Sequence, residues 1–199
     1  MPRPRSDPRA RRTCQRLGSA LVELIREKPI EAIRVQEVLD RARVGRSTFY
    51  VHYRDKNDLL FSQLAMFLEM MSTRLSVERE DSRRVVAIEE MFDHIGGQNR
   101  IYQALVESGQ LEDFFDLAQD YFARGIAQRL RELGRAAGLS RAELAARSTA
   151  LAGSLLALLR WWIERGAKES PRAMDTMFHR LVWEGIDQGS HQARSGGER

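Results

Sequence analysis

Residues 35–60 read VQEVLDRARVGRSTFYVHYRDKNDLL, and the way this run folds decides how the rest of the chain is read. Val35, Val38, Leu39 and Ala42 recur at i, i+3, i+4 and i+7, the spacing of one buried helix face. Arg43-Val44-Gly45 breaks that period, and a second helix of about eight residues follows. At about 100° per residue, Phe49 and Tyr53 point one way, while Arg46, Ser47, Tyr50 and Arg54 share another side. A helix this short is held only by its neighbours. Its outward guanidinium, hydroxyl and phenol are groups that meet guanine edges, phosphates and sugars. Asp55, with Asp58 three residues on, then starts a longer helix. The pattern is a helix-turn-helix presenting a reading face to a DNA major groove.

The charge around this block agrees. The chain has 199 residues, a net charge of +4 and 43% hydrophobic residues, enough for one or two modest domains, and its 5 Pro allow helix throughout. Residues 1–16 hold six Arg against one Asp, residues 17–60 carry a net +1, and the remainder carries −2. The positive excess lies beside the helix-turn-helix and calls for a polyanionic partner, double-stranded DNA. One cysteine, Cys14, leaves no intramolecular bridge and fits a reducing cytoplasm. No Cys/His set has ligand spacing, so neither metal nor cofactor is expected. The Arg- and Pro-rich start lacks the apolar segment of a signal peptide. The longest apolar stretch, 151–163, is interrupted by Ser154 and Arg160 and is too short to cross a bilayer.

The run GRSTFYVHYRDKNDLL and its lead-in ALVELIREKPIEAIRVQEVL resemble the DNA-binding domain of the TetR family of bacterial transcriptional regulators, over roughly residues 10–64. The resemblance implies an all-α fold of about nine helices. A three-helix DNA-binding domain is expected at 9–58 and a helical effector and dimerisation domain at 59–188, with a disordered basic arm at 1–8 and a disordered tail at 189–199. It implies a cytoplasmic, homodimeric repressor released from a pseudo-palindromic operator by a small hydrophobic effector. Arg46 and Ser47 are placed for base edges, Arg46 for a guanine, and Tyr50 for a thymine methyl or a phosphate. His52 and Lys56 match family positions that contact phosphates, and Arg9, Arg11 and Arg12 are candidates by the same analogy. Two departures add candidates. Arg34 stands where the family has a capping Thr; it cannot cap but can reach a phosphate, while Glu37 keeps half of a capping box. Arg43 stands where the family has Gly, and is strained there if its φ is positive.

Towards the amino end, Asp7 and Pro8 open a first helix whose stripe, Cys14, Leu17, Leu21, Leu24 and Ile25, closes at Lys28-Pro29. Ile30 and Ile33 join the core. The helix after Asp55 carries Leu60, Leu64, Phe67, Leu68, Met71 and Leu75 and is long enough to leave the first domain. An exposed charged linker, VEREDSRR, is expected at 77–84. A fifth helix with Val85, Ile88 and Phe92 stops at Gly96-Gly97, a sixth spans 100–107 before Ser108-Gly109, and a seventh spans 111–133. A capping box, Ser140 to Glu143, opens an eighth helix reaching 165. Its large residues, Leu144, Leu151, Leu155, Leu158 and Trp162, suit the subunit's own core. Ala146, Ala150, Gly153 and Ala157 lie on another side and suit close approach of a second helix. A ninth helix opens at Ser170-Pro171.

The family resemblance pairs these last two helices with their copies, through Ala146, Ala150, Gly153, Ala157, Met174, Phe178 and Leu181. It also implies an effector pocket among the middle helices, for which Met66, Met70, Phe92, Tyr102, Phe115, Tyr121, Phe122, Trp161 and Trp162 are the apolar candidates. The four histidines, His52, His94, His179 and His191, are scattered, and no phosphate-cradling Gly-rich loop or nucleophile elbow exists, so catalysis is not expected. The alternative function is an architectural or division-linked DNA-binding protein whose carboxy-terminal domain meets a protein partner.

Overall fold

The structure, a computed structural model, describes residues 8–79, 81–96, 99–107 and 109–195, and of Asn99, Glu107 and residues 185–195 only the backbone. The Arg-rich arm, the Asp7 cap, and the stops expected at Gly97 and Ser108 lie outside the described residues. Among the described residues there are nine α-helices and no strand: α1 (Pro8–Glu27), α2 (Val35–Ala42), α3 (Arg46–His52), α4 (Lys56–Val77), α5 (Ile88–Gly96), α6 (Asn99–Glu107), α7 (Leu111–Glu132), α8 (Arg141–Glu164) and α9 (Pro171–Ser195). α9 continues through residues 189–195, where the sequence suggested a disordered tail.

The chain divides into two compact units, Met1–Phe67 with Gln98–Leu117, and Leu68–Gly97 with Ala118–Arg199. The division falls between Phe67 and Leu68, within α4, rather than after residue 58 near its start. α6 joins the first unit because it packs on α1 and on a 3-10 turn at Ile30–Ala32. In that unit α1 ends before Pro29, which cannot donate to the helix ladder. Its apolar stripe is buried as its spacing requires, with Leu17, Leu21 and Ile25 joined by Ile30, Ile33, Val38, Phe49, Leu59 and Leu60. Each such side chain contributes about 1.5–3 kcal/mol by leaving water.

In the second unit α5 packs on α9, which turns Met174, Phe178 and Val182 inward. α8 buries Leu144, Ser148, Ala152, Leu155, Leu156, Leu159 and Trp162. The Trp162 ring lies 4.8 Å from Phe92, and its Nε1–H donates to the Glu169 carbonyl at 2.9 Å. The Ser140–Glu143 capping box forms as expected, with reciprocal bonds of 3.2 and 2.8 Å. α7 crosses α4 at Gly125, where an added Cβ would sit 2.2 Å from the Ser72 carbonyl oxygen. By length and composition α8 meets the requirement for a membrane-crossing helix, unlike the shorter stretch considered above, and 33% of its apolar window is buried inside the protein.

Of the expected linker, Val77, Glu78, Arg79, Asp81 and Arg83 are exposed, while its carboxy end is held in place. α5 begins at Ile88, and Val85, Val86 and Ala87 form a buried non-helical strap before it. Arg84 is not a solvated residue: its guanidinium bonds Glu90 at 2.5 and 3.1 Å and Asp175 at 3.1 Å. The buried Arg129 donates to the Arg84 and Ser82 carbonyls at 3.0 and 2.9 Å. His179 accepts from the Val85 N–H at Nε2, 3.1 Å, so its Nδ1 carries the proton and donates to the Asp175 carbonyl at 2.9 Å. Arg84, Arg129 and His179 thus tie the strap to α5, α7 and α9.

Candidate nucleic-acid interface

The helix before α3 and the turn that leads into it are held at both ends. Arg43 closes α2 with φ 52°, the left-handed conformation that a β-carbon disfavours. The Val44 N–H bonds the Leu39 carbonyl at 3.1 Å, and Arg16 donates to the Arg43 carbonyl at 2.9 Å, which fixes the turn against α1. At the start of α2, Arg34 makes no cap with its side chain, since a guanidinium has no acceptor. Glu37 completes the expected half box by accepting from the Arg34 N–H at 2.9 Å, and it also takes a bond from Lys28 at 2.5 Å. The Lys28 ammonium, then the Arg34 amide, hold the Glu37 carboxyl below its ordinary range.

α3 is seven residues long, from Arg46 to His52, with Gly45 as its N-cap. Phe49 is its one buried residue, at 0% exposure, and Tyr53 is buried just beyond it. Setting Phe49 at the core side, the 100° step puts Ser47 and Val51 at about 160° and 200°, on either side of the outward pole. Tyr50 and Arg46 lie on one flank and Thr48 on the other. The exposures agree: Arg46, Ser47 and Thr48 are exposed, Tyr50 is 49% exposed and Val51 74%. The Arg46 guanidinium rests over the Tyr50 ring, 5.8 Å from its centroid, which pre-orients it. His52 is half-buried beside Tyr53, off the outward side.

Two expectations are corrected here. Arg54 does not share the α3 face, because Tyr53 is already extended (φ −139°, ψ 141°); the Arg54 N–H caps towards Asp58 at 2.9 Å, and the Asp58 N–H is taken by Asp55 at 2.8 Å. Lys56 does not extend towards a phosphate. Its ammonium donates to the Ile30, Glu31 and Ile33 carbonyls at 2.5, 3.1 and 2.8 Å, which uses all three of its protons to close the 3-10 turn. Thr48 and Val51 are outward residues of α3 that the sequence did not single out. The signal was present: once Phe49 points inward, a helical step leaves Val51 outermost.

A family model described as "Bacterial regulatory proteins, tetR family" matches residues 18–62, and one described as "Transcriptional regulator C-terminal region" matches residues 86–183. The chain belongs to the TetR family. It is a DNA-binding transcriptional regulator, all-α, with a helix-turn-helix domain followed by a helical carboxy-terminal domain. Among solved structures similar to this TetR-family chain is the dihydroxyacetone kinase operon activator DhaS, at 17% identity and TM-score 0.61, covering 88% of this chain and 96% of that one. The fatty acid degradation regulator FadR from Bacillus halodurans follows at 15% identity and 0.57, covering 90% and 96%. The FadR from Bacillus subtilis, solved in complex with stearoyl-CoA, is 16% identical at 0.55, covering 84% and 96%. These likenesses concern the fold. Comparison with curated protein sequences gives no match.

The residues suggested for an effector pocket of this TetR-family regulator are divided between the two units and differ in exposure. Phe92, Phe122 and Trp162 are fully buried in the second unit's core, while Met70 and Trp161 are exposed. Phe115 is buried and meets Phe114 at 5.7 Å, and Met66, Tyr102 and Tyr121 are half-buried. Of the suggested dimer residues, Ala146, Ala150 and Ala157 are exposed and Gly153 is half-buried. Met174 and Phe178 are not available to a partner, at 0% and 1% exposure. α9 has two apolar sides, and the i, i+4, i+8 series Met174, Phe178 and Val182 is the inner one. Leu181, 60% exposed, and Met177 lie on the outer side, along a recess of about 570 Å³ shared with Ala173, Thr176 and Arg180.

Proposed function

We propose that this regulator is a homodimeric repressor that places two copies of α3 in the major groove of a pseudo-palindromic operator, and that a small hydrophobic effector releases it. The observation that carries the DNA reading is α3 itself: a seven-residue helix anchored by one buried ring, with Arg46, Ser47, Thr48, Tyr50 and Val51 all turned out. Such a helix has no packing role on its outer side. Arg34, Arg43 and His52 flank it as backbone-contacting groups, whereas Lys56 acts as a brace inside the domain. Two-fold pairing is supported by the exposed small residues of α8 and by Met177 and Leu181 on α9. The effector reading is supported by the fold shared with the stearoyl-CoA complex of FadR. Of the candidate residues, Met66 and Tyr102 in the first unit and Tyr121 in the second keep partial exposure. Acting on DNA, the protein works in the cytoplasm.

Replacing Arg46 with Ala tests the reading role. If Arg46 bonds a guanine edge, the variant should bind about 1–3 kcal/mol more weakly and show a relaxed preference at one base pair of each half-site. Equal weakening on every sequence would place Arg46 on a phosphate instead.

A further inference from the structure

We propose that Val51 is a specificity-determining residue, reading the C5-methyl group of a thymine in the major groove. The inference rests on the DNA-reading role of α3 and goes one step further, to the base chemistry at one position. Val51 is 74% exposed and, with Ser47, straddles the direction opposite the buried Phe49. It is therefore the apolar group that projects furthest from the domain on this helix. Nothing in the fold requires it. Its isopropyl group buries almost nothing, and a β-branched residue lowers helix propensity in a helix already too short to be stable alone.

Its neighbours restrict what it can meet. Arg46 is drawn to one flank by its stack on Tyr50, and Ser47 offers only a short hydroxyl beside it. A branched apolar side chain has no donor or acceptor for guanine, adenine or cytosine edges. The complementary apolar feature on the floor of the major groove is the thymine methyl. Placed against a cytosine, the same isopropyl would desolvate an amino group without offering it a hydrogen bond. Val51 then discriminates by attraction at thymine and by a desolvation cost at cytosine.

The test uses the full chain and the duplex it enriches from a randomised pool. Each thymine of a half-site is replaced in turn by uracil, which removes only the C5-methyl. One position should weaken wild-type binding about three- to five-fold, the scale of one buried methyl group. Val51→Ala should bind the thymine duplex more weakly and be indifferent to uracil at that same position. Installing 5-methylcytosine there should bind wild-type better than cytosine does. Wild-type indifference to uracil at every position, or equal uracil sensitivity in Val51→Ala, overturns the Val51 assignment while leaving DNA reading by α3 in place. Failure to enrich any duplex overturns both. Val51→Ala trims an outward-facing side chain, so loss of fold will not cloud the result, and circular dichroism of the variant checks this.

Discussion

At the scale of single residues, two cations of the same unit show how function depends on where donors go. Arg46 is exposed and stacked on Tyr50, whereas Lys56 has every proton on a backbone carbonyl. Lys56→Met should therefore lower the unfolding free energy by about 2 kcal/mol, read by denaturant titration. It should leave the salt dependence of DNA binding unchanged; a phosphate-bound lysine would instead reduce the salt slope by about one and spare stability. The role of Lys56 was not legible in the sequence because its partners lie 23 to 26 residues away, a tertiary fact. Arg43 was legible, since a turn position that favours Gly forecasts the left-handed backbone found there. Arg54 was misread for a local reason: a wheel assumes helix beyond the point where Tyr53 has left it.

Elements were easier to read than the sides on which they pack. The Ser140–Glu143 box, the α2 stripe and the core of α1 followed from spacing alone. α9 defeated the same method because apolar residues occupy both of its sides, and only packing on α5 distinguishes Phe178 from Leu181. The strap before α5 was hidden for the opposite reason, since Arg84 is polar yet held between two carboxylates. Glycines give a test at this scale. At Gly125 an added Cβ meets the Ser72 backbone at 2.2 Å, and backbone cannot yield cheaply. Gly125→Ala should cost about 1–3 kcal/mol despite its gain in helix propensity. At Gly153 the nearest atoms belong to the Gln119 side chain at 3.7 Å, so Gly153→Ala should be neutral or stabilising in the monomer. Thermal melts of the two variants in the opposite order would contradict the packing of α4 on α7.

For the molecule as a whole, the strap's ion cluster leads to a prediction for how stability depends on pH. Burial alone would raise the Asp175 carboxyl, but the hydrogen bond from His179 and the Arg84 guanidinium outweigh it and leave it lowered. The Arg84 hydrogen bond likewise holds Glu90 down. Lowered carboxylates stabilise the fold above their unfolded values, about 4, and lose that contribution as pH falls through their folded values. The melting temperature should therefore be level near neutrality and fall below about pH 4, with a shallower fall in Asp175→Asn. An unchanged slope in that variant would show that other groups govern the acid limit. The proposed function at this scale depends on doubling one short helix across a two-fold axis. Its most direct test is selection of bound duplexes from a randomised pool by the full chain at physiological salt. The enriched sequence should be an inverted repeat with half-sites spaced for two symmetry-related helices. Enrichment of a single unrepeated site, or of no sequence at all, would contradict it.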